Sequence, residues 1–478
     1  MSLRPALAAL LVLAACRAPT EAAAMLPTPA LPGAEVWVEA TRLQSGDGSR
    51  EHPFRTLAEA LAVRHAPTVH VGPGLYAGPF VLPSGARVVG AGESTVLYVE
   101  GLGPLVRLEQ AGELSQLSLQ GGGWGVEASA GVLKLEGVAF SGQRQGAVRV
   151  TGGQLVAHAV QFDAGVSETV GLWVEGPATA QVRQSTFTGP WQRAVQVLGG
   201  AQAELEGVEV HQAVMALEQQ GGRVRLSHVS VEGGRGPGLL VRDGVLELEE
   251  VRVTGHEYGL ASNGATLQVR GFTSVGAERA GLGLARSTGR LEQVHVSRSG
   301  SFGALQLVDS DLEVSHFQVD DVDAYGVAAT QGKLRARHGL ITRLRSKEGF
   351  TGDGLHLRGV VADIEDVEVR EAAGSGVLAA QGAQVVLRGV TLSGCQEAGL
   401  AVESQARVKA ERLEVHGTQG PALAVLRDTD VQVDTLTASQ LGQGLVWAEC
   451  EGQTRLLLEH VHADDRRGLT APCVQALP

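Results

Sequence analysis

A repeat of about 22 residues is the feature that most constrains the fold of this chain. Short Gly-Leu or Gly-Val pulses recur along it, beginning at Gly125, Gly171, Gly238, Gly259, Gly281, Gly326, Gly354, Gly376, Gly399 and Gly444. Alanine takes the place of the glycine in intervening units, at Ala147, Ala194, Ala216, Ala304 and Ala422. The step from Gly326 to Gly354 is longer than the others. A period in this range is typical of a solenoid, in which each repeat forms one coil.

Each unit has the same alternating interior, as in VLELEEVRVTG, which begins at Val245. Leu246 and Leu248 alternate with polar residues, two glutamates form a corner, and Val251 and Val253 alternate again. Apolar residues at every second position predict strands with one buried face. The sequence therefore predicts an all-β parallel β-helix solenoid of about 15 coils. A leucine-rich repeat is the competing solenoid, but its LxxLxLxxN pattern is absent.

The start of the solenoid needs a cap, because an open end would template aggregation. Val36 to Val38 form a predicted strand, and Thr56-Leu57-Ala58-Glu59 is a capping box that opens a short helix. The run GDGSREHPFRTLAEAL, followed by VHVGPGLY, resembles the N-terminal entry of the pectin-lyase-like β-helix superfamily. This resemblance covers Ala34 to Gly92 and implies a right-handed parallel β-helix. The superfamily includes polysaccharide lyases, hydrolases and epimerases as well as non-enzymatic surface proteins, so the fold does not choose the function.

The N-terminal sequence MSLRPALAALLVLAACRAPT combines a basic Arg4, an apolar stretch from Ala6 to Ala15, and Cys16. About ten apolar residues are too few to cross a hydrocarbon core roughly 30 Å thick, so this stretch predicts a signal peptide. Leu13-Ala14-Ala15-Cys16 resembles the lipobox of bacterial lipoproteins, which implies that Cys16 is lipidated and anchors the chain in a bilayer. Arg17 after the cysteine favours the outer membrane or the cell surface.

These features divide the chain into four predicted parts. They are a signal peptide (1–15), lipidated Cys16 with a flexible Pro/Ala tether (16–33), a cap with the first coils (34–100) and the main β-helix (101–478). The formal net charge of −13 is spread along the chain without a basic run. Nucleic acid is therefore not an expected partner, because the release of counterions from phosphates needs clustered cations.

Three cysteines besides the lipidated Cys16 remain after the predicted processing. Cys450 and Cys473 follow Gly444 and Gly468 at nearly the same distance, so their sulfurs are expected on stacked coils. Neighbouring strands lie about 4.8 Å apart, within the range of a disulfide. We predict a Cys450–Cys473 bridge and a free Cys395.

Asp353 is the first candidate for chemistry. Gly352-Asp353-Gly354 resembles the first acidic element of the polygalacturonases. The following coils enter as Gly374-Ser375-Gly376 and Gln396-Glu397-Ala398-Gly399, where that family has paired aspartates and a His-Gly element. With one of three elements present, the catalytic role is not carried over, and Asp353 is predicted to be a turn residue.

The outward positions of the glycine-led strands are the usual cleft of β-helix enzymes. They are Leu240, Ala261, Gly283, Gln306, Ala328, His356, Leu378, Ala401, Ala424 and Val446. This row has almost no acid, base or sugar-stacking aromatic, and His356 is expected to be isolated and exposed. The row could lie beneath the turn before it, notably the loop from Arg343 to Gly352, or against a partner.

The best acidic cluster contains Asp320, Asp321 and Asp323, with Asp309 and Asp311 nearby. Oxygen-rich turns bind calcium, and Arg343, Arg345 and Lys347 follow one coil later, as a lyase base would. Aspartate is also common in turns for its local hydrogen bonds, so the cluster has a structural interpretation as well.

We therefore expect an envelope lipoprotein that acts as a β-helical scaffold or binding module, with a polysaccharide or a surface protein as its partner and no required cofactor. The alternative is a divergent polysaccharide lyase, hydrolase or epimerase that uses Asp353, His356 and the Asp320 cluster, with calcium as a possible cofactor.

Overall fold

The chain forms a parallel β-solenoid of about 18 turns. The computed structural model describes residues 35–63, 68–347, 349 and 351–477. Each strand of this region pairs in parallel with strands of the neighbouring turns, so all the strands belong to one 41-stranded sheet. One short helix, α1 (Leu57–Leu61), lies near its start. The all-β solenoid predicted from the repeat is confirmed.

The strands follow one another closely along the chain. Those up to residue 198 are β1 (Glu35–Val38), β2 (Thr68–Val71), β3 (Gly74–Ala77), β4 (Phe80–Leu82), β5 (Ala86–Val89), β6 (Thr95–Val99), β7 (Val106–Leu108), β8 (Gly112–Gly121), β9 (Trp124–Ala128), β10 (Val132–Ser141), β11 (Gly146–Val150), β12 (Gln154–His158), β13 (Gln161–Asp163), β14 (Val170–Glu175), β15 (Thr179–Arg183), β16 (Thr186–Thr188) and β17 (Arg193–Leu198). Those up to residue 345 are β18 (Gln202–Glu206), β19 (Glu209–His211), β20 (Leu217–Gln220), β21 (Arg223–Glu232), β22 (Leu239–Arg242), β23 (Val245–Thr254), β24 (Tyr258–Asn263), β25 (Thr266–Val275), β26 (Ala280–Ala285), β27 (Thr288–Ser297), β28 (Gly303–Asp323) and β29 (Val327–Arg345). The remainder are β30 (Leu355–Arg358), β31 (Val361–Ala372), β32 (Val377–Ala380), β33 (Gln384–Arg388), β34 (Val390–Ser393), β35 (Leu400–Val402), β36 (Arg407–His416), β37 (Leu423–Val425), β38 (Asp430–Ser439), β39 (Val446–Ala448), β40 (Arg455–Ala463) and β41 (Val474–Ala476).

Each turn of the solenoid contributes to three faces. The first face stacks β1, β2, β5, β8, β10, β12, β15, β18, β21, β23, β25, β27, β28, β29, β31, β33, β36, β38, β40 and β41. The second face contains the later halves of the long strands together with the short strands in register with them. The third face stacks the glycine-led strands β4, β7, β9, β11, β14, β17, β20, β22, β24, β26, β28, β29, β30, β32, β35, β37 and β39.

The alternation in each repeat places the apolar side chains in one continuous core. In β23, Leu246 and Leu248 are buried on the first face, and Val251 and Val253 are buried on the second. Glu250 stands at the corner between them with φ 52°, a left-handed conformation that turns the strand within a single residue. Such a sharp corner lets one strand supply two faces and keeps the repeat near 22 residues.

The N-terminal cap has the capping box expected from the sequence. The Thr56 hydroxyl accepts a hydrogen bond from Glu59 N at 3.3 Å, and the Glu59 carboxylate accepts one from Thr56 N at 3.0 Å. These bonds satisfy backbone donors that the first turn of a helix leaves unpaired. Leu57 and Leu61 are buried, so α1 covers the first turns of the core.

Two expectations about the coils are wrong in detail. The solenoid has about 18 turns instead of about 15, because short strands before Gly125, where the regular pulses begin, already form complete turns. Val446 does not face outward: it pairs with Leu423 and is buried, and Trp447 takes the outward position. In the described part of the chain, no helix has the length and apolar character needed to cross a bilayer.

Candidate functional site

The outward side chains at the middle of the third face form a single row, which we call the outer row. In order they are Arg107, Glu127, Arg149, Trp173, Gln196, Glu218, Leu240, Ala261, Gly283, Gln306, Ala328, His356, Leu378, Ala401, Ala424 and Trp447. The first six are charged, polar or aromatic, whereas most of those that follow are small or apolar. The expectation of an outer row almost without functional groups therefore holds only for the part after Glu218.

The N-terminal part of the outer row is built around Arg149. Its guanidinium carbon lies 5.9 Å from the ring centroid of Trp124 and 5.7 Å from that of Trp173. The two rings meet edge to face, with centroids 6.3 Å apart. Trp173 is half-buried, and its indole nitrogen donates to Glu175 at 3.1 Å. These contacts hold a partly exposed aromatic ring in one orientation.

Two carboxylates flank the same arginine. Glu127 lies 3.7 Å from Arg149, and Glu175 lies 4.0 Å from it on the other side. Glu127 and Glu175 belong to strands about 9.6 Å apart, and Glu175 lies two residues beyond Trp173, the position in register with Glu127, so the two residues are farther apart than the strands. Inverting hydrolysis requires an acid and a base about 6.5 to 9.5 Å apart with the glycosidic bond between them. Arg149 occupies that space, so the pair is not arranged for hydrolysis.

Glu218 is the most enclosed charge of the outer row. Its carboxylate accepts from Arg242 at 2.6 Å and from the Gln196 amide at 2.9 Å, and it is paired with Arg193. Burial alone would raise the pKa of Glu218, but the hydrogen bonds and charges of the two arginines outweigh burial and hold the pKa below its ordinary value. Glu218 is consequently a fixed anion at neutral pH and not a proton donor.

The small side chains after Glu218 are partly covered by aromatic rings from the preceding turn. A side chain at Gly283 would meet the Tyr258 ring at 2.9 Å, so Tyr258 fills the space above this position. The Tyr325 ring lies over His356, with centroids 4.3 Å apart. Farther along, Leu378, Ala401 and Ala424 belong to a small apolar cluster of their own. This part of the row therefore presents a closed surface.

Asp353 and His356 form a buried pair. Their exposed fractions are 1% and 8%. His356 Nδ1 lies 2.8 Å from Asp353 Oδ2, which also accepts from the Thr351 hydroxyl at 2.5 Å, and Asp353 Oδ1 accepts from Ser375 N at 2.7 Å. The prediction that His356 is isolated and exposed is wrong, because the turn before β30 brings Asp353 beside it and Tyr325 covers its ring.

Asp353 influences other titratable groups behind it. Burial, with a smaller contribution from the negative charge of Asp353, raises the pKa of Cys395 to about 12. Burial and Asp353 also raise the pKa of Glu397. Asp353 acts in the turn, as expected from the sequence, because its carboxylate accepts a hydrogen bond from Ser375 N on the next coil. Gly374 leaves room for this carboxylate, since a side chain at position 374 would approach Asp353 Oδ1 to 2.3 Å.

The acidic cluster proposed for calcium is neutralised by protein cations. Asp320 and Asp321 pair with Arg343 and Arg345, and Asp323 lies 2.8 Å from Arg345 and 2.9 Å from Lys347. Burial would raise the pKa of Asp323, but the hydrogen bonds from Lys347 and Arg345 lower it. Among the described residues, no group of three or more acidic, histidine or cysteine side chains is arranged to hold a metal ion.

The cysteines divide between an exposed end and the core. Cys450 and Cys473 form a disulfide with Cα atoms 5.2 Å apart, which ties the last turn to the one before it. Cys395 is free and buried. Cys16, the predicted lipidation site, lies outside the described residues, as do the signal peptide and the tether.

The alternation of inward and outward residues that gave the predicted row also applies to the three functional groups that the prediction missed. The pulses at Gly125, Ala147 and Gly171 contain GVEAS, AVRVT and GLWVE, whose third letters are Glu127, Arg149 and Trp173. Extending the outward row toward the N-terminus would have found them.

Comparisons with known proteins give distant matches among solved structures. No protein-family model matches the sequence, and no curated protein matches it. Among solved structures, the chain is similar to the catalytic unit of a GH87 α-1,3-glucanase from Streptomyces thermodiastaticus, with 14% identity, 86% of this chain and 69% of that chain covered, and a TM-score of 0.27. It is also similar to the siphovirus 9NA tailspike receptor-binding domain, with 12% identity, 86% of this chain and 75% of that chain covered, and a TM-score of 0.23. A third similar structure is the A-module of an Azotobacter vinelandii mannuronan C-5 epimerase, with 12% identity, 85% of this chain and 93% of that chain covered, and a TM-score of 0.23. Likenesses this distant carry no conclusion about what this chain does.

Proposed function

We propose that this chain is an envelope lipoprotein whose β-solenoid binds polysaccharide along the N-terminal part of the outer row without cleaving it. The observation that carries this proposal is the preformed group of Arg149, Trp173 and Glu218 on a flat parallel sheet. Aromatic rings bind the apolar C–H face of a sugar, and charged planar groups bind its hydroxyls. The fold belongs to a class that hosts many functions, so the proposal rests on these side chains.

The spacing of the outer row suits an extended glycan. Successive side chains are separated by the strand spacing of about 4.8 Å, which is close to the length of one sugar residue. A chain of sugars lying across the turns would therefore meet a new side chain at each unit. Because Trp173 and Arg149 are already fixed by their neighbours, little side-chain entropy is lost when a ligand binds.

Binding without cleavage follows from the state of the carboxylates. Glu218 is held as an anion by two arginines, and Arg149 fills the space between Glu127 and Glu175. General acid catalysis needs a carboxyl group that carries a proton and reaches the leaving oxygen. The alternative pair, Asp353 and His356, is buried beneath Tyr325 and is the weaker candidate for contact with a polymer.

Lipidation of Cys16 completes the proposal. An acylated cysteine would hold the solenoid at a membrane surface, with residues 17–33 as the tether and the outer membrane or cell surface as the location. The resemblance of residues 34–92 to the pectin-lyase-like superfamily, with its right-handed coil, supports a carbohydrate ligand. A surface protein is the other partner that a rod of this kind would accommodate.

The experiment that tests this function compares two tryptophans of the outer row. Wild type, Trp173→Ala and Trp447→Ala would be titrated with dextran, pectate, alginate and bacterial exopolysaccharides, with and without calcium. Trp447 is 48% exposed, and among the described residues no arginine packs on its ring. Trp447→Ala is therefore the control for the loss of an exposed indole. We expect wild type to bind at least one glycan and Trp173→Ala to lose about tenfold or more in affinity.

The same samples would be assayed for new reducing ends and unsaturated uronates. We expect neither to appear. Cleavage that is abolished by Asp353→Ala in a protein that circular dichroism shows to be folded would establish the enzyme hypothesis. A wild type that binds no glycan would leave a protein-binding scaffold as the better account.

A further inference from the structure

The first face carries a long open groove on the side of the solenoid away from the outer row. It consists of two adjoining cavities of about 630 and 750 Å³, volumes typical of ligand sites. Gly289 and Glu313 line both cavities, so they form one continuous surface. Gly289 stands between Leu267 and Leu312, where the two cavities meet, and a side chain there would approach the backbone oxygen of Leu267 to 2.0 Å.

Two pairs of cations stand in the larger cavity. Lys333 and Arg335 occupy alternate positions of β29, and Arg407 and Lys409 occupy the matching positions of β36. The strands β31 and β33 lie between them, so the two pairs are three strand steps apart. At about 4.8 Å for each step, the separation is about 14 Å.

The arginines of these pairs lack counter-ions. In the described part of the chain, neither Arg335 nor Arg407 has an ion pair or a side-chain hydrogen bond. Asp363, which stands next to Arg335 on the neighbouring strand, is instead paired with Arg388. Arg455 in the same groove is bound by Asp430 through two contacts of 2.9 and 3.1 Å. The carboxylates in register with these arginines, Glu313 and Asp363 beside Arg335 and Asp430 beside Arg407, all pair with other arginines. The groove therefore holds two guanidinium groups that have no ion pair of their own among the described residues.

Apolar and polar side chains share the surface between the two cation pairs. On β31 the outward residues are Val361, which is 50% exposed, and Asp363, and on β33 they are Gln384 and the half-buried Val386. Asp311, Glu313 and Asp430 stand along the rest of the groove as acceptors. A ligand that fits this pattern has anionic groups separated by stretches that combine apolar faces with hydroxyl donors.

We propose that this groove is a second binding site, selective for an extended acidic polysaccharide in which uronate carboxylates are separated by neutral sugars. The carboxylates pair with Arg335 and Arg407, the C–H faces of the sugars pack on Val361 and Val386, and hydroxyls donate to the groove's carboxylates. A guanidinium binds a carboxylate through two parallel hydrogen bonds, which gives the site its charge selectivity. A polymer with a charge on every unit, such as polyphosphate, would meet repulsion from Asp311, Glu313 and Asp430.

The test titrates the full chain with hyaluronan oligosaccharides long enough to span three turns. In these oligosaccharides a uronate alternates with a neutral amino sugar. Dextran serves as the uncharged match, and polyphosphate serves as a polyanion without sugars. We expect the wild type to bind hyaluronan more tightly than either. The double variant Arg335→Gln, Arg407→Gln is expected to lose about tenfold or more in affinity for hyaluronan, because each glutamine removes the charge of one guanidinium–carboxylate pair.

The matched control is Arg252→Gln. Arg252 is an exposed strand arginine on the second face, and it has no ion pair with any described residue. Arg252→Gln should leave the affinity for hyaluronan unchanged. Equal melting temperatures of all the variants would show that the glutamine substitutions leave the fold intact. Trp173→Ala, which tests the outer row, should also leave this affinity unchanged, so the two sites fail independently. The proposal is overturned if the wild type does not bind hyaluronan, if the double variant binds like the wild type, or if polyphosphate binds as tightly as hyaluronan.

Discussion

His356 Nδ1 lies 2.8 Å from the carboxylate of Asp353, and both side chains are buried. The aspartate belongs to the turn that enters β30, and the histidine is the second residue of that strand. Because three further contacts come from Thr351, Ser375 and Tyr325, the pair ties one turn of the solenoid to the turns before and after it.

Asp353→Ala should therefore lower the free energy of unfolding by about 1 to 3 kcal/mol, the usual cost of leaving a buried hydrogen-bonding group without its partner. The substitution leaves Ser375 N and the His356 ring without their acceptor. Urea denaturation measures the loss. Glu209→Ala is the matched control, because Glu209 lies 3.5 Å from His211 in an exposed pair worth at most about 1 kcal/mol. Equal losses in the two variants would contradict a structural role for the buried pair.

The register of β30 leads to a second prediction. Leu355 is fully buried, so Leu355→Ala should destabilise the chain by about 2 to 5 kcal/mol, the range for deleting a packed leucine. Val361 is 50% exposed, and Val361→Ala should change stability by at most about 0.5 kcal/mol. A larger effect at Val361 than at Leu355 would mean that the faces of these strands are exchanged.

The inward side chains could be predicted from the sequence because burial on every second residue is a local property of a strand. Leu246, Leu248, Val251 and Val253 are buried as their alternation requires. The enclosure of His356 could not be predicted in this way. It depends on Tyr325, which lies a full turn earlier in the chain, and alternation says nothing about which ring covers an outward residue.

Charge pairing shows the same limit. The corner residues Arg337, Glu365, Arg388 and Glu411 alternate in sign on successive coils, and Arg337 pairs with Glu365 at 3.2 Å and Arg388 with Glu411 at 3.3 Å. Arg388 also pairs with Asp363, although Asp363 stands in register with Arg335 on the neighbouring strand. The choice depends on side-chain rotamers, which the repeat does not determine.

The cysteines supply a third prediction. Native protein should react with iodoacetamide very slowly at Cys395, because burial raises the pKa of this thiol to about 12 and the thiolate is the reactive form. After denaturation the same thiol should react at once, and peptide mapping should find Cys450 bridged to Cys473. Rapid labelling of the native protein, or a bridge that includes Cys395, would contradict this assignment.

The membrane anchor is tested by a fourth prediction. If Cys16 is lipidated, wild-type protein should partition into membranes and detergent, whereas Cys16→Ala should become soluble or remain uncleaved. The physical reason is that the acyl chains transfer from water to the bilayer, with about 0.8 kcal/mol for each buried CH₂ group. Cys395→Ala serves as the control substitution, since its thiol lies in the solenoid core. The lipoprotein proposal would fail if Cys16→Ala and the wild type partitioned equally.

The enclosed carboxylate of Glu218 should make stability depend on pH in the acid range. Its pKa in the folded chain lies below the ordinary value of 4.5, because the arginines at positions 193 and 242 outweigh the effect of burial. A carboxyl group whose pKa is lowered by folding stabilises the chain fully above its unfolded pKa, and this stabilisation is lost as the pH falls through the folded pKa. Wild type should thus be more stable than Glu218→Gln at pH 7, and the difference should shrink as the pH falls below about 4.5.

Glu206→Gln is the control, because Glu206 pairs with Arg183 in an exposed position and its removal should change little at any pH. Urea denaturation of the three proteins between pH 7 and pH 3 measures the effect, and a difference for Glu218→Gln that stayed constant over this range would show that the carboxylate is not held ionised by the two arginines.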